Sequence, residues 1–304
     1  MRAGGHGERL PDFLIIGAQK CGTTTLYRDL HGHPDIFLPE FKEPNCLCRD
    51  DVLEDAGRRD YARYFTRAGT EQICGEASTA YTKWPDFTGA PKRARALLGE
   101  RLKLIYVTRD PVARLKSQYS HEVNVRLIQT DINRAIREVP RLINYSRYAQ
   151  QARQWLEFFP AENLLLVRLE DYSADPAAGF AELTRFLGVR PIGRPDRLAG
   201  RHNSADARVS ASPFWRKILH QYPFYRRYIQ PYIPWQLRSR IVRSVFPPAS
   251  KPPLDLTEES RAYIRQELAS DAAEFAQIWA AQLARNGRSF ASADVHPVDT
   301  MNRG

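Results

Sequence analysis

Phe13-Leu-Ile-Ile-Gly17-Ala-Gln-Lys20-Cys21-Gly22-Thr23-Thr24-Thr25-Leu-Tyr-Arg28 decides the fold. Phe13 to Gly17, led in by Pro11-Asp12, is an aliphatic and aromatic run of the kind that forms a short buried strand. A turn bounded by Gly17 and Gly22 follows, and the threonine run Thr23 to Thr25 opens a helix. A strand, a glycine-bounded loop and a helix N-terminus aim free backbone N–H groups and the positive end of the helix dipole at one spot, so the stretch predicts a phosphate cradle. Lys20 adds a full charge inside the loop, and three threonines add hydroxyls. In the nucleoside-triphosphate pattern G-x-x-x-x-G-K-[ST], lysine follows the second glycine. Here Thr23 stands in that place and the lysine has moved to position 20, so the Lys-Ser/Thr pair that sets Mg²⁺ beside a γ-phosphate is missing. Lys20 suits an outermost 5′ phosphate or its leaving group instead.

Outward from this stretch, apolar strands alternate with helices. Gln72 to Tyr81 reads as a strand running into a loop, and Leu102 to Arg109 as a clear strand. Asp110-Pro111 supplies an N-cap and an N1 proline, which starts a helix through Ser117 into the 120s. A helix from Tyr148 to Phe159 precedes a strand from Asn163 to Glu170, and Pro176 to Leu187 is helical, closed by Gly188. The charged residues 50–70, with Tyr61, Tyr64 and Phe65 spaced along them, also read as helical. This alternation predicts an α/β fold, a P-loop-like central parallel β-sheet flanked by helices on both faces. Thr257 then caps a long helix with Ile264, Leu268, Phe275, Ile278, Trp279 and Leu283 on one side, ending at Gly287: a helical C-terminal extension. The expected organisation is one domain over residues 1–304. Residues 10–200 form its nucleotide-binding core, and residues 201–290 form a basic, aromatic loop and a helical extension packed on that core.

At 304 residues, with 43% apolar and 26% charged side chains, the composition is that of a globular protein with a full core. No run of about 18 apolar residues occurs and the first dozen residues lack an apolar signal core, so a cytoplasmic protein is expected. Cys21, Cys46, Cys48 and Cys74 form no C-x-x-C pair, which predicts reduced thiols and no metal site. Of the net charge of +10, nine basic residues lie between Arg208 and Lys251 with no acidic residue among them. That block suits an anionic partner: a nucleotide, an acidic substrate or, as a peripheral contact, an anionic membrane surface.

Arg109 ends a strand and Ser117 lies two helical turns beyond it. Ligands of open parallel sheets bind at the C-terminal ends of strands, so Arg109 belongs on the same edge as Lys20. On the residues alone, an arginine pairing with Asp110 or Glu122, beside an ordinary helix serine, is a better reading than a phosphate ligand. The sequence, however, resembles a family. Phe13 to Leu26 is similar to the 5′-phosphosulfate loop of sulfotransferases that use 3′-phosphoadenosine 5′-phosphosulfate (PAPS). Tyr106 to Ser117 is similar to their 3′-phosphate motif, and Asn163 to Val189 to their strand, Glu-Asp and Phe-Leu-Gly segment. The resemblance implies that Lys20, Cys21, Gly22, Thr23, Thr24, Thr25, Arg109 and Ser117 bind the nucleotide, joined by Arg201 where the family closes a loop over it. It implies PAPS as donor, adenosine 3′,5′-bisphosphate (PAP) as product, a hydroxyl-bearing acceptor, and neither a metal nor a nucleic-acid partner.

Two kinds of base remain open. Glu43, in Lys42-Glu43-Pro44, stands where enzymes of the heparan-sulfate type carry the glutamate that deprotonates the acceptor, and proline biases it to an extended loop geometry. Its plain reading is a loop carboxylate paired with Lys42. The cytosolic small-molecule branch uses histidine; His121 is the nearest such residue, with His31 and His33 following the first helix. The resemblance favours Glu43 as base, with Lys20 as the catalytic cation. Two departures bear on the acceptor: Glu76-Ala77-Ser78-Thr79 has alanine where the heparan-sulfate enzymes have lysine, and Asn45-Cys46-Leu47 replaces their His-Phe-Phe. The competing readings are a nucleotide-dependent kinase or NTPase, and a nucleotide-binding module without turnover.

Overall fold

The computed structural model describes residues 8–195 and 252–286. Arg201 and the basic block from Arg208 to Lys251 lie outside the described residues. Five strands, β1 (Phe13–Gly17), β2 (Ile36–Phe37), β3 (Ile73–Ala77), β4 (Lys103–Thr108) and β5 (Leu164–Arg168), form a sheet of order β2-β3-β1-β4-β5. Every neighbouring pair is parallel. β1 lies between β3, where Phe13 stands opposite Gly75, and β4, where Phe13 stands opposite Lys103. Its side chains are fully buried, which is why it reads as unbroken apolar sequence rather than as an alternation. Each such side chain stabilises the fold by about 1.5–3 kcal/mol relative to exposure.

Helices fill the connections. They are α1 (Thr23–His31), α2 (Asp55–Ala62), α3 (Ala90–Leu98), α4 (Pro111–Asn124), α5 (Ile132–Glu138), α6 (Arg141–Asn144), α7 (Tyr148–Leu156), α8 (Leu169–Ala174) and α9 (Pro176–Leu187). The expected caps are in place: Asp110 accepts from the Ala113 N–H at the head of α4, and Gly188 closes α9 in a left-handed conformation. Residues 50–70 are less regular than expected, α2 being flanked by 3₁₀ turns at Asp50–Leu53 and Arg63–Phe65. The strand expected to reach Glu170 ends at Arg168, because Leu169 and Glu170 already belong to α8.

A long helix, Glu258–Arg285, is capped by Thr257, whose side chain accepts from the Ser260 N–H. It covers the free edge of β5: Gln282 accepts from the Leu166 N–H at 2.6 Å and donates to the Leu166 carbonyl at 3.0 Å. An edge strand with its N–H and C=O groups occupied in this way cannot template another strand there. Ile264, Leu268, Phe275 and Leu283 are buried beneath the helix. Among the described residues, no helix is long and apolar enough to cross a membrane.

Candidate active site

β1 sits at the point where connections diverge, toward β3 on one side and β4 on the other, and its C-terminal end opens the crevice that such sheets offer to ligands. The loop between Gly17 and Thr23 fills that end. Gly17 has φ 154° and a Cβ there would stand 1.8 Å from Thr82 Oγ1, while Thr82 donates to the Ile16 carbonyl at 3.0 Å. Gly22 precedes α1 with φ 87°, and a Cβ there would meet Leu169 Cδ1 at 2.4 Å. Side chains at either end would block the turn. Inside it, Lys20 holds a left-handed conformation at φ 69°, uncommon for a residue with a Cβ.

The N–H donors divide into two sets. Cys21 donates to the Ala18 carbonyl at 3.2 Å and Thr25 to the Gly22 carbonyl at 2.9 Å, so these two serve the loop itself. The N–H groups of Gly22, Thr23 and Thr24 take no partner among the described residues, and they open the N-terminus of α1, where an anion is favoured. The Cys21 side chain is buried and its thiol is pushed up to about 12 by that burial, so it is a neutral packing group. Thr23 is buried, and Thr24 and Thr25 are half-buried on the first turn.

Arg109 comes to this loop from the end of β4. Its Nη1 donates to the Lys20 carbonyl at 3.5 Å, and among the described residues its guanidinium has no carboxylate partner. Both carboxylates that might have neutralised it are engaged: Asp110 caps α4, and Glu122 takes Arg141 at 2.7 and 2.9 Å. The Arg109 backbone is fixed by Tyr148, whose hydroxyl donates to the Arg109 carbonyl at 2.7 Å and lies 3.4 Å from the Arg109 N–H and 3.5 Å from Cys21 Sγ. Tyr148 is held in turn by the long helix. Asp271 accepts from the Ala149 and Gln150 N–H groups at 3.1 and 2.8 Å, and Phe275 packs 5.6 Å from the Tyr148 ring. Ser117 is half-buried on the second turn of α4, on the helix that Arg109 leads into.

Glu43 reaches the same sheet edge from the other side. Its N–H donates to the Ala77 carbonyl at 2.9 Å, at the end of β3. Thr79 donates to its Oε2 through N–H at 2.8 Å and hydroxyl at 3.1 Å, and Lys42 pairs with Oε1. The extended geometry expected before Pro44 is overturned: Glu43 has φ 68°, because these bonds to β3 and Thr79 outweigh the local preference. Burial pushes its carboxyl up, but Lys42, the Thr79 N–H and Lys83 together hold it below the ordinary carboxylate value. It is therefore ionised at neutral pH. An ionised carboxylate accepting three hydrogen bonds keeps a lone pair for a fourth.

Behind Glu43 lies Glu76, fully buried on β3. Tyr81 and Tyr61 donate to its Oε1 at 2.5 and 2.9 Å, and Ser78 to its Oε2 at 2.8 Å. Ser78 Oγ also accepts from the Asn45 N–H at 3.0 Å, which ties the Glu43 loop to the buried carboxyl. Burial lifts Glu76 to about 7, against the pull of its three donors and with the help of the negative charge on Glu43.

Lys20, Arg109 and the head of α1 are thus brought together, and Glu43 stands on the β3 side of the same edge. The histidines fare differently. Both ring nitrogens of His33 are used, Nδ1 accepting from the Asp35 N–H at 3.1 Å and Nε2 lying 2.9 Å from the Arg190 carbonyl, so it is structural. His31 closes α1, about 12 Å along the axis from the loop. His121 is half-buried in the last turn of α4. Tyr148, Thr79 and Lys83 were not singled out in the sequence; none carries a local signal, since each acts through a partner far along the chain. No group of three or more metal-type side chains occurs among the described residues.

A family model described as a sulfotransferase domain matches residues 10–204. The bifunctional heparan sulfate N-deacetylase/N-sulfotransferase of Drosophila melanogaster is 29% identical over 217 residues, covering 61% of this chain and 20% of its own length. Human heparan sulfate glucosamine 3-O-sulfotransferase 3B1 is 31% identical over 202 residues, covering 62% of this chain and 49% of its own length. The chain therefore spans about a fifth to a half of the length of these relatives. A solved sulfotransferase from Alicyclobacillus acidocaldarius shares the fold with a TM-score of 0.62 at 22% identity, over 93% of this chain and 98% of that one. Because the family match takes in well over half of the 304 residues, including the loop, Glu43 and Arg109, this chain belongs to the sulfotransferase family.

Proposed function

We propose that this chain moves a sulfuryl group from PAPS to a hydroxyl on a carbohydrate, a glycolipid or a small natural product. The observation that carries the reading is Arg109, a half-buried guanidinium without a carboxylate partner among the described residues, beside the open N–H groups at the head of α1. Two such anion-binding groups on one sheet edge suit a nucleotide with separate 5′ and 3′ charges. Thr23 stands where a kinase or NTPase needs its lysine, which weighs against a triphosphate.

In this reading the 5′ end of the donor lies against the Gly22, Thr23 and Thr24 N–H groups and Lys20, and the 3′-phosphate against Arg109 and Ser117, with Arg201 as a further ligand. The Glu43 carboxylate takes the acceptor hydroxyl proton. The acceptor oxygen forms its bond to sulfur in line as the bond from sulfur to the 5′-phosphate oxygen breaks, and the charge left on that oxygen is met by Lys20 and the loop donors. Each preorganised donor of this kind contributes about 10²–10³ in rate. The step needs no metal. The four free cysteines suit a reducing compartment, and we place the enzyme in the cytoplasm.

Calorimetric titration with PAP and with ATP–Mg²⁺, on wild type and Arg109→Ala, tests the reading. Tight PAP binding that weakens at least ten-fold in the variant is expected. Preference for ATP–Mg²⁺, or PAP binding indifferent to the substitution, would overturn it.

A further inference from the structure

Lys83 follows the 3₁₀ turn Thr79–Thr82, the turn whose first residue holds Glu43. Its ammonium stands 5.9 Å from the centroid of the Tyr145 ring. The charged and titratable groups around it include Glu43, Glu122, Cys48 and Lys42, and Asp86 lies beyond the Tyr145 ring. Each carboxylate among them is already taken. Glu43 is bonded to Lys42 on one oxygen and to Thr79 on the other. Glu122 accepts from Gln118 Nε2 at 2.7 Å on one oxygen and from Arg141 on the other. The Cys48 thiol is pushed up to about 12, mainly by burial, so it offers no negative charge. The Tyr145 hydroxyl donates to Asp86 and presents only its ring face to the lysine. Among the described residues Lys83 therefore has no hydrogen-bond acceptor and no ion pair.

The other two cations of this corner are neutralised one for one, Lys42 by Glu43 and Arg141 by Glu122. Lys83, a half-buried side chain that has given up part of its hydration, has no such partner among the described residues. Partly desolvated ammonium groups are costly unless an acceptor replaces the lost water. Burial accordingly pulls the Lys83 pKa down, with Glu43 opposing it. This unpaired ammonium lies on the Glu43 side of the sheet edge, where the acceptor must come, and not in the loop that faces the donor.

We propose that Lys83 receives an anionic group of the acceptor, a carboxylate or a sulfate or phosphate ester, and so holds the acceptor hydroxyl beside Glu43. This inference rests on the sulfuryl-transfer reading of the site and names the acceptor class within it. Lys83 is a specificity-determining residue here: it touches the acceptor away from the reacting oxygen.

The test uses two probes that differ in one carboxylate, 4-nitrophenyl β-glucuronide and 4-nitrophenyl β-glucoside, titrated into PAP-saturated protein. Wild type is expected to bind the glucuronide at least ten-fold tighter than the glucoside. Lys83→Met should erase that preference, Lys83→Arg should keep most of it, and raising the salt should shrink it in wild type. Equal binding of the two probes, no binding of the glucuronide, or a preference that survives Lys83→Met would overturn the proposal. PAP titration of the same samples separates the two levels of the argument. Retained PAP binding without a Lys83-dependent preference sinks this inference alone, whereas a wild type that does not bind PAP sinks the reading beneath it.

Discussion

Between Gly17 and Thr24 the site is made of backbone, N–H groups set in place by β1, β4 and the first turn of α1, whereas around Glu43 the same sheet edge is assembled from side chains. The first region depends on room, since its shape requires Gly17 and Gly22 to pass close to Thr82 and Leu169. The second depends on individual partners, Lys42, Thr79, Ser78 and Glu76, and on their charge states. A ligand common to a whole family is best held by backbone, which every sequence possesses. A variable acceptor is best met by side chains, which can be exchanged.

The largest expected effect separates the two regions directly. Glu43→Gln should lower kcat by about 10²–10⁴ while leaving PAP affinity within about three-fold, because it removes a base and touches nothing in the loop. The pH profile sharpens the assignment. Glu43 is held below the ordinary carboxylate value, so kcat/KM should show no acid limb between pH 5 and 8 on its account. An acid limb in wild type near pH 6.5, the usual histidine range, would move the role to His121.

Next in size is the loop. Gly17→Ala places a Cβ 1.8 Å from the Thr82 hydroxyl, at a backbone conformation that favours glycine. Destabilisation of about 3 kcal/mol is expected in urea unfolding, from overpacking and backbone strain together. A variant as stable as wild type would show that the cradle is looser than this geometry requires.

The smallest effect concerns the buried carboxyl behind Glu43. The folded-state pKa of Glu76 is raised from 4.5 to about 7. Its contribution to stability is thus fully present below about pH 4.5 and is lost as pH rises through about 7. Wild type should lose on the order of 2 kcal/mol relative to Glu76→Gln between pH 5 and 8. Unfolding midpoints of the two proteins that run parallel over that range would show that Glu76 carries no such ionisation cost.

The α/β architecture could be read in advance because its signals are local. The buried strand, its glycine-bounded loop and the threonine-led helix lie within sixteen residues, from Phe13 to Arg28, and Asp110-Pro111 announces α4 without help from elsewhere. Glu43 could be singled out only through resemblance, and its conformation was misjudged. Proline after it argues for an extended backbone, yet the Glu43 N–H donating to the Ala77 carbonyl and Thr79 donating to the Glu43 carboxylate, more than thirty residues on, hold it at φ 68°. Residues 50–70 came out less regular than their aromatic spacing implied, since Tyr61 and Phe65 are set by packing and by the bond to Glu76.

By itself the sequence determined the α/β class and the glycine-bounded loop with its following helix, because backbone geometry and glycine placement are written in neighbouring residues. Tertiary structure alone decided that Arg109 lacks a carboxylate partner among the described residues, that Tyr148 anchors it through Asp271 and the long helix, and that the Lys83 ammonium has no ion pair among the described residues. Those facts are sums over partners dispersed from Glu43 to Asp271, and a charge balance between distant segments exists only once the chain has brought them together.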